Sequence, residues 1–275
     1  MFSTLGNNVM NIENGGGGPS FAWDGDALIY FNNTGLSDYG YKIILNELVL
    51  DLKYYNLWNN MQAIYPFIGG TAALHKWNLK NPLDTNAAYR LGFSGGGWTH
   101  STTGVLPNGT SSYIETNYSP FSAATQSGFS FGIYSRTNDL TGTQVYGCTN
   151  GGGTTNSQHN LTTANMYNAG VIGGSGNFTY KPTRTDRLFI NRRNSATDMQ
   201  GYRDGVSLGT NTSAPTVNHP NVTFFFSARS NSGSPVFFCK QQLAFAFLGL
   251  GMTNQQALDL TMIVNKYQSS LGRNV

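Results

Sequence analysis

Charge is scarce in this chain: Lys, Arg, Asp and Glu together make up 11% of its 275 residues, against roughly a quarter in a typical globular chain. A formal net charge of +3 spread over so few groups forms no dense cationic stripe, which excludes a nucleic-acid partner. The two basic clusters, Arg184 to Arg187 and Arg192-Arg193, read as solvated strand ends. With two cysteines, Cys148 and Cys239, a disulfide framework is excluded, and both are expected to be reduced, buried and inert. Apolar runs never reach 18 residues, and MFSTLGNNVMNIENGGGG has no basic stretch leading into an apolar one. The expectation is a chain made in a cytoplasm, without a membrane anchor. Triplets such as Asn108-Gly-Thr and Asn221-Val-Thr are chance products of an Asn- and Thr-rich composition and are assigned no glycans.

What is present is material for a core and for turns: 39% hydrophobic residues, 13% aromatic residues and 34 glycines. That apolar content is enough for folding rather than disorder. Gly15 to Pro19 reads as a hinge. It divides an N-terminal arm, residues 1–20, from a single domain, residues 21–275. Tyr41, Leu45, Leu48, Leu52 and Tyr55 recur at spacings of three and four, which predicts a helix from about Asp38 to Tyr54, with Ser37 as its N-cap. Residues 61–84, MQAIYPFIGGTAALHKWNLKNPLD, obey no single period. They are expected to form an ordered connector stiffened by Pro66 and Pro82, with His75 and Trp77 structural.

From Tyr89 onward the period becomes two. YRLGF, SYIETNY, FSFGIYS, TQVYGCT, NAGVIG, RLFINRR, MQGYRD, VSLGT, VTFFFSA and QLAFAFLGL are short alternating segments separated by turn residues. That pattern predicts an antiparallel sandwich or barrel. Asp204-Gly205 in GYRDGVSLGT marks a type I′ hairpin. NGGGTTNS and GGSGN open no helix, so they are loop tips or edge connections rather than phosphate cradles. Thr253 and Gln256 have capping-box spacing, and Ala257, Leu260, Val264, Tyr267 and Leu271 follow as a stripe closed by Gly272, predicting a C-terminal helix. The two helices are expected to pack beside each other or on one edge of the sandwich.

Chemistry-bearing patterns are few. A sugar hydrolase needs two carboxyl groups facing each other, yet the chain has only Glu13, Glu47 and Glu115, and no strand carries carboxylates at alternate positions. Asp24 and Asp26, flanking Gly25 in WDGDAL, come closest to a catalytic or metal pair and otherwise read as a turn. His75, His100, His159 and His219 lie in separate segments without zinc-ligand spacing. No nucleophile elbow is visible, and neither cysteine has a nearby activating partner in sequence. No cofactor is implied. The abundant Asn, Thr, Ser and Tyr suit carbohydrate, which is held by amide and hydroxyl hydrogen bonds and by aromatic faces under the sugar ring. The same residues also make a soluble shell. Trp98 in FSGGGWTHS, with Asn108 and Tyr113, is the preferred sugar-contact set.

AIYPFIGGTA, HKWNLKNP, GGWTHS and PNGT in that order, the stretch LDTNAAYRLGFSGGGWTHSTTGVLPNGTSSYIET and the terminal VNKYQSSLGRNV resemble bacteriophage virion proteins. These are tail, fibre or spike proteins carrying a concanavalin-like, laminin-G-like jelly roll. The likeness covers residues 38–275, and GYRDGVSLGT resembles the hairpin of such domains. It implies a virion-exposed, non-enzymatic part, made in the host bacterial cytoplasm, that contacts host surface glycans. It carries over no catalytic residue and fixes no sugar site. The corresponding expectation is a mainly β antiparallel jelly-roll sandwich with an N-terminal and a C-terminal helix packed on it. The arm would attach to other virion proteins, and the chain would form a homo-oligomer, with a trimer expected. Two alternatives stand beside it: a purely structural capsid or tail component, and a polysaccharide depolymerase.

Overall fold

The computed structural model describes residues 22–140, 144–151, 155–161, 167–171, 177–181 and 183–275. The arm, the Gly15–Pro19 hinge and most of GGSGN lie outside the described residues. The fold is mainly β, a sandwich of two sheets with a layer of helices on one of them. One sheet has eight strands, ordered β13 (Val206–Asn211), β12 (Asp198–Arg203), β11 (Arg187–Ser195), β6 (Phe129–Ser135), β17 (Leu243–Leu250), β4 (Gly104–Leu106) and β3 (Thr99–Ser101), with β1 (Met61–Tyr65) also paired to β17. The other has nine, ordered β10 (Phe178–Tyr180), β9 (Tyr167–Val171), β8 (Asn156–Leu161), β7 (Gln144–Thr149), β14 (Phe225–Phe226), β5 (Tyr113–Glu115) and β2 (Gly92–Ser94), with β15 (Arg229–Asn231) on β7 and β16 (Ser234–Val236) on β15.

The central strands of the eight-stranded sheet, β6 and β17, are buried on both faces, and their sequence shows why. In LAFAFLGL the side chains alternate between two cores: Phe245 and Phe247 meet the helices, while Ala246 and Leu248 meet the opposite sheet. β6 divides in the same way between Tyr134 and Ile133. A strand covered on both sides therefore reads as a continuous apolar run.

Helices α1 (Gly25–Thr34), α2 (Tyr39–Tyr54) and α5 (Asn254–Ser270) form the covering layer, and α3 (Ala72–His75) and α4 (Pro120–Ala123) are single turns. As expected, α2 and α5 pack together, with Lys266 Nζ 2.8 Å from Asp51 Oδ2. The Thr253–Gln256 capping box is present. The Asp204-Gly205 hairpin has both backbone torsions positive, at 50° and 78°, as a type I′ turn requires. Arg273, beyond the last helix, is buried and donates to the carbonyls of Pro66, Phe67 and Ala244 at 2.7–2.8 Å. It ties the C-terminus to the connector.

Several expectations need correction. The sheets are not wholly antiparallel, because β15 runs parallel to β7. There are two N-terminal helices, not one: Asp24 N-caps α1 by accepting from Asp26 N at 2.9 Å, so WDGDAL starts a helix rather than making a turn. Asp38, not Ser37, caps α2, its carboxylate accepting from Tyr41 N at 2.8 Å. Part of the connector is a strand, since Met61–Tyr65 pairs with β17 before Pro66 stops it. Asn156 and Ser157 of NGGGTTNS begin β8 rather than a loop tip. Arg192 and Arg193 are not solvated strand ends but fully buried. Arg192 reaches Asp198 at 2.7 Å, and Arg193 donates to the Val171 and Ala196 carbonyls at 2.8 and 2.6 Å. Partners of that kind are what allow a guanidinium to leave water.

Candidate functional site: the outer face of the nine-stranded sheet

The layer of α1, α2 and α5 lies on the eight-stranded sheet and leaves the outer face of the nine-stranded sheet without it. Register decides which side chains that face presents. Ile114 and Phe226 are opposite partners and face the core, which turns their neighbours Tyr113 and Phe225 to the outside. There the two rings lie tilted at 39° with centroids 5.0 Å apart, Phe225 buried beneath and Tyr113 half-buried above it, and the half-buried Phe238 lies 6.5 Å from Tyr113.

Beside this cluster the chain folds back in the β15–β16 hairpin. Its turn is Ser232-Gly233, with φ of 51° and 88°. The hairpin is held at its base by Cys239 N donating to Ser227 O at 3.0 Å and at its turn by Ser232 N donating to Thr149 O at 2.9 Å. Ser227 and Phe237 bracket it at φ of 63° and 58°. A bulky residue in the left-handed region costs on the order of 1 kcal/mol or more. Here it turns the Phe237 ring outward, 52% exposed. Arg229 Cζ sits 4.7 Å from that ring's centroid, and Arg229 Nη1 donates to Gln158 Oε1 at 3.0 Å. Between Arg229 and Gln158 in register lies Gly147. A Cβ there would fall 2.4 Å from Ser157 O and 2.5 Å from Gln158 Cα, so glycine is what lets β7 and β8 approach this closely where Arg229 reaches Gln158.

The sequence-selected set meets the same end of the face. Ser94 is the register partner of Tyr113, and Trp98 Nε1 donates to Ser94 O at 2.9 Å. Trp98 is half-buried, its ring 5.3 Å from Phe93 and 6.4 Å from His100. Asn108 is occupied by its own loop: its Oδ1 accepts from the backbone N of Thr110, Ser111 and Ser112 at 2.8–3.1 Å, and its Nδ2 donates to Ser111 Oγ at 2.8 Å. Ser111 Oγ in turn donates to Gly95 O at 2.7 Å. Asn108 therefore shapes the loop that borders Tyr113. Lys240 lies over the same loop, where a Cβ on Gly109 would come 2.2 Å from its Cγ.

The other sequence-selected residues lead elsewhere. Asp24 and Asp26 both bind Lys53 Nζ, at 2.7 and 2.6 Å. Asp26 and Lys53 line a cleft of about 380 Å³ with Asn56, Trp58 and Asn59. Its composition suits sugar, but Trp58 is only 7% exposed and Lys80 Nζ lies 3.9 Å from its ring centroid. That ring has little face left for stacking. Among the described residues, no group of three or more His, Cys, Asp and Glu is placed to hold a metal ion. No helix among them is long and apolar enough to cross a membrane.

The histidines come together in ways the sequence did not show. His75 Nδ1 and His100 Nδ1 are 3.0 Å apart. Burial, helped by His100 and Arg273, holds His75 down to about 3. Burial likewise puts His159 at about 3, against a favourable hydrogen bond with Asn191. His219 is held at about 4, its ring between Ser157 Oγ at 3.1 Å and Thr125 O at 3.0 Å. All three are neutral core residues. Cys148 and Cys239 are free and buried, and burial raises both thiols, so neither supplies a thiolate.

Arg229, Phe237 and Phe238 escape sequence reading. Phe237 and Phe238 look like an apolar run leading into Cys239. Arg229 is one cation in a polar stretch, and its neighbours are set by a β15–β7 pairing that no local pattern announces.

Neither a family model nor a curated protein matches this sequence. Solved structures do resemble it in fold. A mutant of Trypanosoma rangeli sialidase displaying trans-sialidase activity aligns at a TM-score of 0.52 and 10% identity, over 83% of this chain and 40% of the sialidase chain. A receptor binding domain aligns at 0.50 and 10% identity, over 76% of this chain and 52% of its own. The botulinum neurotoxin serotype D binding domain aligns at 0.46 and 9% identity, over 74% and 51%. This chain thus spans about two fifths of the sialidase. At such identities the likeness is one of fold.

Proposed function

We propose that this chain is a non-enzymatic carbohydrate-contacting domain displayed on a bacteriophage particle, where it meets host surface glycans. The carrying observation is the outer face of the nine-stranded sheet, where the half-buried Tyr113 and Phe238 lie near the exposed Phe237 ring and the buried Phe225 supports Tyr113 from below. Aromatic faces of this kind stack on the apolar side of a sugar ring, and the surrounding amides and hydroxyls supply hydrogen bonds. The receptor binding domain among the fold neighbours is compatible with such a role. The virion setting rests on the likeness of residues 38–275 to phage tail, fibre and spike proteins. The non-enzymatic reading draws on Asp24 and Asp26 being joined by one lysine instead of facing each other across a groove, as a hydrolase requires.

The experiment is a bacterial glycan panel probed with the full chain and with Tyr113→Ala and Phe237→Ala. The proposal expects hits that weaken about tenfold in each variant, or about 1.4 kcal/mol. Hits unchanged in both variants would move the site elsewhere, and a blank panel would remove the glycan role.

A second reading, a purely structural particle component, is favoured by the apolar surface of the helical layer. Tyr54 is 76% exposed there, in ring contact with Tyr55, and Tyr55 lines a groove with Met262. A second copy of this chain would cover that surface in a homo-oligomer, and we place the expected trimer there. Sedimentation equilibrium decides it: a monomer at high concentration contradicts self-association through this layer.

A further inference from the structure

Among the described arginines withdrawn from water, three that are fully buried and one that is half-buried are not treated alike. Arg192, Arg193 and Arg273 are each met by acidic or carbonyl oxygens. Arg229 is half-buried and makes one hydrogen bond, from Nη1 to Gln158 Oε1. Its Nε is shielded from water without a partner, whereas Nη2 makes no bond among the described residues and is not fully buried. Among the described residues no carboxylate pairs with it, and burial alone acts on its charge, with no neighbouring ion countering it. A guanidinium held from water with spare donors is costly unless something supplies the missing acceptor. The local backbone is specialised around it nonetheless: Gly147 lets β8 come close enough for Gln158 to meet the arginine, and Phe237 adopts a left-handed conformation beside it.

We propose that Arg229 reads charge on this face, and that the glycan it takes carries a carboxylate on a sugar ring that rests beside Phe237. The inference deepens the glycan reading above and rests on it. The chemistry is specific in kind. The Phe237 ring lies 4.7 Å from the guanidinium carbon, and a planar fork of N–H donors matches a planar carboxylate better than it matches a neutral hydroxyl. Phe237, 52% exposed, has surface left for the ring that bears the acid. Lys240, exposed and without an ion pair among the described residues, lies close by along the chain beyond Phe238 and adds a second positive charge.

The test is calorimetric titration of the full chain with an oligogalacturonate, its carboxyl methyl ester and a sulfated neutral oligosaccharide of equal length. Wild type is compared with Arg229→Met and Arg229→Lys. The acid should bind at least tenfold more tightly than its ester, and the difference should shrink with added salt. Arg229→Met should abolish the difference while leaving binding of the ester, and Arg229→Lys should keep part of it. Equal binding of acid and ester by wild type overturns the inference and leaves the glycan reading standing. Binding of none of the three by wild type overturns the inference, and the glycan panel then decides the reading beneath it. A tighter complex with the sulfated sugar overturns the assignment to a carboxylate. Thermal melts check the fold of each variant. If Arg229→Met does not fold, the acid-against-ester ratio in wild type decides, together with the shift of the Arg229 side-chain resonances on adding the acid.

Discussion

Arg273 and Arg229 both leave water, one at the seam between helices and sheet, the other on the sheet's open face. At the seam the guanidinium donates to carbonyls from Pro66, Phe67 and Ala244, and its Nε donates to Gln268 Oε1 at 2.6 Å. On the open face the same group meets one amide oxygen and an exposed aromatic ring. The chain evidently supplies acceptors to a buried arginine where the role is structural. The open face leaves its donors free, and the two faces differ in the same way in their aromatics. Phe245 and Phe247 disappear into the helical core, whereas Phe237 stands out at the cost of a left-handed backbone.

Acid should break the interior first, and with the largest effect. His75, His159 and His219 stay neutral in the fold down to about 3, 3 and 4, against about 6.5 in the unfolded chain. Between these values the unfolded chain binds protons that the native chain does not. Stability is therefore complete above about pH 6.5 and falls as the pH drops toward 4, by up to about 1.4 kcal/mol per pH unit for each histidine. Urea melts at pH 7, 6, 5 and 4 should show a falling midpoint, and a flat profile would mean that these rings are accessible to protons. Next in size is Arg273→Met, which strands several buried carbonyls and should cost about 3–5 kcal/mol, read as a lower urea midpoint at unchanged slope. Gly95→Ala follows. A Cβ there would lie 1.8 Å from Ser111 O at a φ of +78°, so about 2 kcal/mol should be lost, with Trp98 fluorescence shifting as its loop moves. Smallest of all should be Arg229→Met, within about 0.5 kcal/mol of wild type in the same melts, because that guanidinium holds no core contact together. A large loss there would make Arg229 structural and erase the contrast with Arg273.

Much of the scaffold was legible because its signals are local. Thr253 and Gln256 announce α5, Asp204-Gly205 announces the β12–β13 turn, and the run LAFAFLGL announces a strand covered on both faces. Helix α1 was missed because Gly25 between two aspartates resembles a turn, when Asp24 is its cap. Three-residue strands such as β2, β3 and β4 are too short to show a period. Arg192 and Arg193 looked solvated because a basic pair usually is, and only the fold brings Asp198, Val171 and Ala196 to them. Of the selected contact set, Tyr113 lies on the outer face, Asn108 shapes the adjoining loop and Trp98 packs at its border. The charged element, Arg229, depends on the parallel pairing of β15 with β7 across Gly147, a long-range register that composition and spacing do not encode.

The decisive measurement is a chemical-shift map of the full chain titrated with a glycan taken from the panel's hits. Perturbations gathered on Tyr113, Gln158, Arg229, Phe237 and Phe238 are the expected result. Perturbations gathered instead around Trp58 and Lys80, or none at saturating glycan, would contradict assignment of the contact surface to the open face of the nine-stranded sheet.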